Sequence, residues 1–140
     1  MLGHPLHPAV VHFPIALLLS ATAADVVRVA GLTDDVHIAA VLMAGGLIMG
    51  LVAMAAGLID FVKLDESVVP HAMRHVVAVG TAWVGYAIAL YLRRDALTGG
   101  TDVSSASTAL SIVSALVLAL GGWLGGRLVY TFAANVERRP

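Results

Sequence analysis

The sequence predicts an all-α fold: an integral membrane bundle of four transmembrane helices joined by short loops, forming one domain over residues 1–140. Three observations carry that expectation. First, 59% of the 140 residues are hydrophobic and only 12% are charged, whereas a soluble domain carries roughly 25% charged residues. Second, four apolar stretches each reach the roughly 20 residues that cross a bilayer at about 1.5 Å per residue. Third, short polar segments separate them. The same apolar composition excludes disorder. A net charge of −1 leaves no basic field for nucleic acid. With no cysteine, disulfides, thiolate metal sites and c-type haem attachment are also excluded. Six histidines remain, many for so apolar a chain.

The elements follow in order. The first span covers 12–31. Pro14 suits its first turn, where a missing N–H is harmless, and Pro8 keeps the preceding chain out of an ordinary helix interior. Ala21-Thr22-Ala23 has the look of a signal-peptide cleavage site. However, no Lys or Arg precedes the span, Arg28 being the first, so a retained helix is expected. Asp25 and Arg28, three apart, predict a local ion pair at the interface. The second span covers 37–62, with Asp34 expected as its cap and His37 at its start. The third covers 70–92, with Pro70 in its first turn, and the fourth covers 107–132. Trp83 and Trp123 read as packing residues within their spans, and Tyr91 and Tyr130 as interfacial ones. Met43, Met49 and Met54 are expected in the core or against lipid.

Four spans bring both termini to one side, called the near side below. Lys63, Arg74, Arg127, Arg138 and Arg139 lie there, against Arg28, Arg93 and Arg94 on the far side. Positive-inside counting puts the near side in the cytoplasm.

Helices in lipid associate through faces of small residues, and such faces recur here at alternating spacings of three and four. The second span has Gly46, Gly50, Ala53 and Gly57, and the next step lands on Asp60. The third has His71, His75, Ala78, Ala82, Gly85 and Ala89. The fourth has Ala115, Ala119, Gly122 and Gly126, with Arg127 and Tyr130 just beyond. On the first, His12, Ala16 and Ala23 share a face. Because the helices alternate direction, His12, Asp60, His71, His75, Arg127 and Tyr130 are all expected at the near side, with His4 and His7 tethered beside them. A single histidine near a helix end reads most simply as an interfacial group. The set together reads as a site, because ionisable groups inside membrane bundles are costly.

Imidazole is the commonest metal ligand and binds haem iron. The expected centre is haem b or a metal, with His12 and one of His71 or His75 as ligands. Arg127, with Tyr130 beside it, would neutralise a propionate or pair with Asp60. Such a centre acts in electron transfer, as a redox carrier rather than a stand-alone enzyme. A second reading is a non-haem Zn, Cu or Fe site drawing on His4, His7, His12, Asp60, His71 and His75, with open coordination for hydrolytic or oxidative chemistry. A third is a structural or assembly subunit of a membrane redox complex. Expected partners are the bilayer, a redox protein and a second copy through the glycine faces. No catalytic nucleophile and no phosphate-binding loop stand out.

Gly3-His4-Pro5-Leu6-His7-Pro8 followed by Val11-His12-Phe13-Pro14-Ile15 is a specific string. It resembles the opening of a family of small bacterial membrane proteins catalogued as domain-of-unknown-function family 2231. The resemblance continues through Gly57-Leu58-Ile59-Asp60-Phe61, His71 to His75, Gly121 to Gly126 and Leu128-Val129-Tyr130. It implies a four-helix integral membrane protein without an assigned activity. Some members of the family are fused to Rieske-type iron–sulfur domains, which implies a redox setting. An acidic residue is common where Arg127 stands, so the resemblance implies charge pairing rather than metal ligation at Arg127.

Overall fold

The structure, a computed structural model, describes residues 6–132 and 134. Among them are five α-helices and no strand: α1 (Leu6–Val10), α2 (His12–Val29), α3 (His37–Phe61), α4 (Val69–Leu92) and α5 (Ser105–Tyr130), with a 3₁₀ turn over Arg94–Thr98. Together α1 and α2 form one apolar stretch, Leu6–Val29, and α3, α4 and α5 are each long and apolar enough to cross a membrane. The first span therefore begins six residues before its expected start. The interruption at Val11 has a local cause: Pro14 has no N–H to offer the carbonyl four residues earlier.

The ends obey ordinary chain chemistry. Gly31 takes a left-handed φ of +74° after α2 and Gly99 a φ of +98° after the 3₁₀ turn, conformations that cost glycine little. Before α3, Asp35 Oδ1 accepts from the N–H of His37 (2.8 Å) and of Ile38 (3.2 Å). The capping carboxylate is thus Asp35, not the expected Asp34, because Asp35 stands two residues ahead of His37 and reaches its N–H directly. Ser104 Oγ accepts from Ser107 N–H and caps α5. Pro70 lies in the first turn of α4 as expected.

The helices pack as two hairpins, α2 on α3 and α4 on α5, with a thinner seam between them. Large apolar side chains such as Val29, Leu58 and Leu116 point outward. The interior is held by small residues around Leu18, Met43, Leu47 and Tyr86. That inversion suits a lipid surround, where close backbone packing replaces hydrophobic burial as the force between helices.

The small-residue faces of α3 and α4 pack as expected: Gly46, Gly50, Ala53 and Asp60 are buried on α3, and Ala82 and Ala89 on α4. The other two faces require correction. On the first span His12, Ala16 and Ala23 are exposed. The buried row instead steps by fours and threes from His7 through Val11, Pro14, Leu18, Ala21 and Asp25 to Arg28, whose members are buried or half-buried. On α5 the packed row is Ser107, Ser111, Ser114, Leu118, Gly121 and Gly125. It lies one residue before the expected Ala115–Gly126 row, and Gly122 faces open space.

At the far end the seam is closed by polar groups. Arg93 Nη1 donates to Asp25 Oδ1 at 2.6 Å, with side-chain exposures of 0% and 1%. Arg93 Nε donates to Ser107 Oγ, which donates onward to the Ala89 carbonyl. Arg28 Nη2 donates to Thr108 Oγ1 at 2.8 Å. The expected Asp25–Arg28 pair is therefore replaced by two bonds across the seam, because Asp25 faces the interior and meets the end of α4. One turn deeper, Thr22 Oγ1 lies 2.7 Å from Tyr86 Oη and 2.9 Å from Ser111 Oγ.

Candidate functional site

The near end is built differently. His7, on α1, is fixed twice to α3. Its backbone N–H donates to Asp60 Oδ2 at 3.0 Å, and its Nδ1 lies 2.7 Å from the Ala53 carbonyl. His75, on α4, is fixed to α5, its Nδ1 lying 2.8 Å from the Gly121 carbonyl. A carbonyl only accepts, so in both rings Nδ1 carries the hydrogen, and in the neutral ring Nε2 keeps its lone pair. Among the described residues, neither Nε2 has a hydrogen-bond partner.

Glycine makes the room for both rings. A Cβ on Gly57 would stand 3.0 Å from His7 Nδ1, and one on Gly125 would stand 3.0 Å from His75 Cε1. Each hairpin thus carries its own imidazole in a slot of its own backbone. The two rings meet across the seam with centres 6.1 Å apart and planes at 80°. Beside them is a cavity of about 70 Å³ reaching Leu18, Met54, Trp83 and Leu118. Trp83 holds its upper wall, with Nε1 donating to the Leu47 carbonyl at 3.0 Å.

The other residues singled out in the sequence distribute as follows. Asp60 is buried and holds the start of His7. His71 is half-buried with its ring 4.1 Å from that of Phe132, and its Nδ1 is enclosed without a hydrogen-bond partner among the described residues. His12 is exposed on the outer face of α2. Arg127 is exposed, its guanidinium 5.1 Å from the Trp123 ring and 5.9 Å from the Phe132 ring, so it does not pair with Asp60. Tyr130 is 90% exposed. His37 bonds to the Ala96 carbonyl at the far end. His4 lies outside the described residues. Among the described residues no group of three or more His, Cys, Asp or Glu is placed to hold a metal ion.

Sequence reasoning put His12 opposite the α4 histidines, but the structure puts His7 there. The signal was present. Alternating steps of four and three from His7 reach Asp25 and Arg28, two charges that cannot face lipid without cost. The same steps from His12 reach no charged side chain.

A family model described as a predicted membrane protein, DUF2231, matches residues 3–138. No curated protein and no solved structure matches the chain. The match runs nearly end to end and includes both histidine-bearing ends of the near-side cluster, and the chain belongs to the DUF2231 family of predicted membrane proteins.

Proposed function

We propose that the protein is a membrane-embedded haem-b carrier of single electrons, with His7 and His75 as the residues that would hold the haem. The observation that carries this reading is the pair of anchored imidazoles, one from each hairpin, with ring centres 6.1 Å apart. The two rings come from different hairpins and meet across the seam, so a group lying between the hairpins would be held from both. The Nδ1–carbonyl bonds supply what ligating histidines ordinarily have: a partner that sets the tautomer and holds the ring.

The number of donors favours haem over a bare ion. A structural or catalytic zinc site takes three or four protein ligands, whereas haem iron arrives with four nitrogens and asks for two more. Bound iron would supply a ferrous–ferric couple in an apolar, water-poor surround. Asp60 would act by holding His7 rather than by ligating.

The test is the visible spectrum of protein purified from membranes after expression with ample haem. Oxidised and reduced spectra of a six-coordinate bis-imidazole haem are expected. Colourless protein overturns the haem reading. Bound zinc, copper or iron in that colourless protein would then support the non-haem site, and their absence the structural subunit.

A further inference from the structure

The space beside the two rings has its own chemistry. At the level of Leu18, Met54, Val79, Trp83 and Leu118 the seam encloses a cavity of about 70 Å³ whose wall is almost entirely apolar. The three ring N–H donors among the side chains that line it are all engaged. Trp83 Nε1 donates to the Leu47 carbonyl, His7 Nδ1 to the Ala53 carbonyl and His75 Nδ1 to the Gly121 carbonyl. A buried water makes two to four hydrogen bonds, and a wall of this kind offers it no free side-chain donor. Cavities lined by apolar side chains stay dry and take small apolar guests instead.

We propose that this cavity binds a small uncharged gas of dioxygen's size, drawn from the hydrocarbon of the bilayer. Size sets the class of guest. The 70 Å³ is about twice the roughly 30 Å³ that one water occupies in the liquid, room for about two or three heavy atoms. Location sets the source. The residues that line the cavity belong to the four membrane-spanning stretches, and apolar gases leave water for hydrocarbon. A lipid chain is a poorer occupant, because threading its end between helices fixes torsions that a diatomic molecule does not have. The inference concerns the space and not what the two imidazoles hold, so it stands apart from the haem reading.

Xenon is the probe, since it is small, apolar and forms no hydrogen bond. The full chain, with isotope-labelled methionine methyl groups, is placed in lipid nanodiscs without added haem. Methyl spectra are then recorded under rising xenon pressure. Met54 lines the cavity, Met43 is buried but forms no part of its wall, and Met73 is exposed. The Met54 signal is expected to shift along a saturating curve. Met43 should stay still, and Met73 should drift in proportion to pressure, as for xenon dissolved in lipid. Added dioxygen should reverse the saturating shift by competition. Val79→Leu and Leu118→Phe each fill the space and should remove the saturation, and the comparison is read in whichever variant melts like the parent. A Met54 shift linear in pressure, or saturation that survives filling, overturns the site. Contacts of the Met54 methyl with lipid-chain or water protons, without a saturating response to xenon, assign the space to that occupant and also overturn it.

Discussion

Arg93 and Asp25 form a 2.6 Å ion pair sealed inside the bundle, joining the end of α4 to α2. Arg93→Met leaves the Asp25 carboxylate buried without its guanidinium, and the expected loss is about 3–5 kcal/mol of stability. The double variant Asp25→Leu/Arg93→Met strands no charge and should lose less than the single one. Denaturant unfolding followed by tryptophan fluorescence checks the order. A double variant as unstable as Arg93→Met would mean that the pair contributes through shape rather than charge.

Thr22 is the hub of the next layer, within reach of both Tyr86 Oη and Ser111 Oγ. Tyr86→Phe removes one partner from a hydroxyl that keeps another, at an expected cost of about 0.5–1.5 kcal/mol. Thr22→Val takes the shared partner from two buried hydroxyls at once and should cost about 1–3 kcal/mol. Thermal unfolding in detergent ranks the two, and the reverse order would place the hub elsewhere.

The adjacent glycines of α5 should respond oppositely. Gly125→Ala presses a Cβ to about 3.0 Å from His75 Cε1. Because His75 is held by the Gly121 carbonyl, the ring cannot swing away freely. A loss of about 1–3 kcal/mol is expected from overpacking, with weaker haem uptake. Gly122→Ala meets nothing within 4 Å and should be neutral, or gain up to about 1 kcal/mol from helix propensity. Melting curves and haem titrations of the two variants provide the comparison.

Among the histidines, the site singles out two. His7→Ala and His75→Ala are each expected to abolish the six-coordinate spectrum, while His12→Ala, altering an exposed ring, leaves it intact. His71→Ala removes a ring packed at a tilt against Phe132 and should shift stability more than spectrum. Haem retained in His7→Ala and lost in His12→Ala would reinstate the His12 ligand expected from sequence.

At the start of α3, Asp35→Ala removes the acceptor for two N–H groups and should cost about 1 kcal/mol. Asp34→Ala should fall within about 0.5 kcal/mol of the parent, as surface changes usually do. Unfolding midpoints of the two variants separate the roles.

The four membrane spans were legible because length and apolarity alone define them. The inward faces of α3 and α4 were legible too, since small residues there stand against large ones. On α5 the glycines come in adjacent pairs, Gly121-Gly122 and Gly125-Gly126, so two parallel stripes satisfy the same spacing. Only the serines at 107 and 111 distinguish them, because buried hydroxyls need partners. On the first span, the proline-bearing stretch around His7 reads as a tether, and a row that starts from His12 misses the buried face. The Asp25–Arg93 pair could not be found from local spacing, because its members are 68 residues apart in the chain.

The buried row of α5 passes from hydroxyls at Ser107, Ser111 and Ser114 to bare backbone at Gly121 and Gly125. The two halves of one helix face therefore filter substitutions by opposite criteria. Serine to alanine at 107 or 111 changes size little but removes a polar atom that its neighbours rely on. Glycine to alanine in the near half adds no polarity but fills space that a ring already occupies. As the sequence drifts, hydroxyl-bearing residues should exchange with one another at one end and glycine should persist at the other, so the boundary between the two regimes marks in sequence alone where the bundle stops being held and starts being able to hold something.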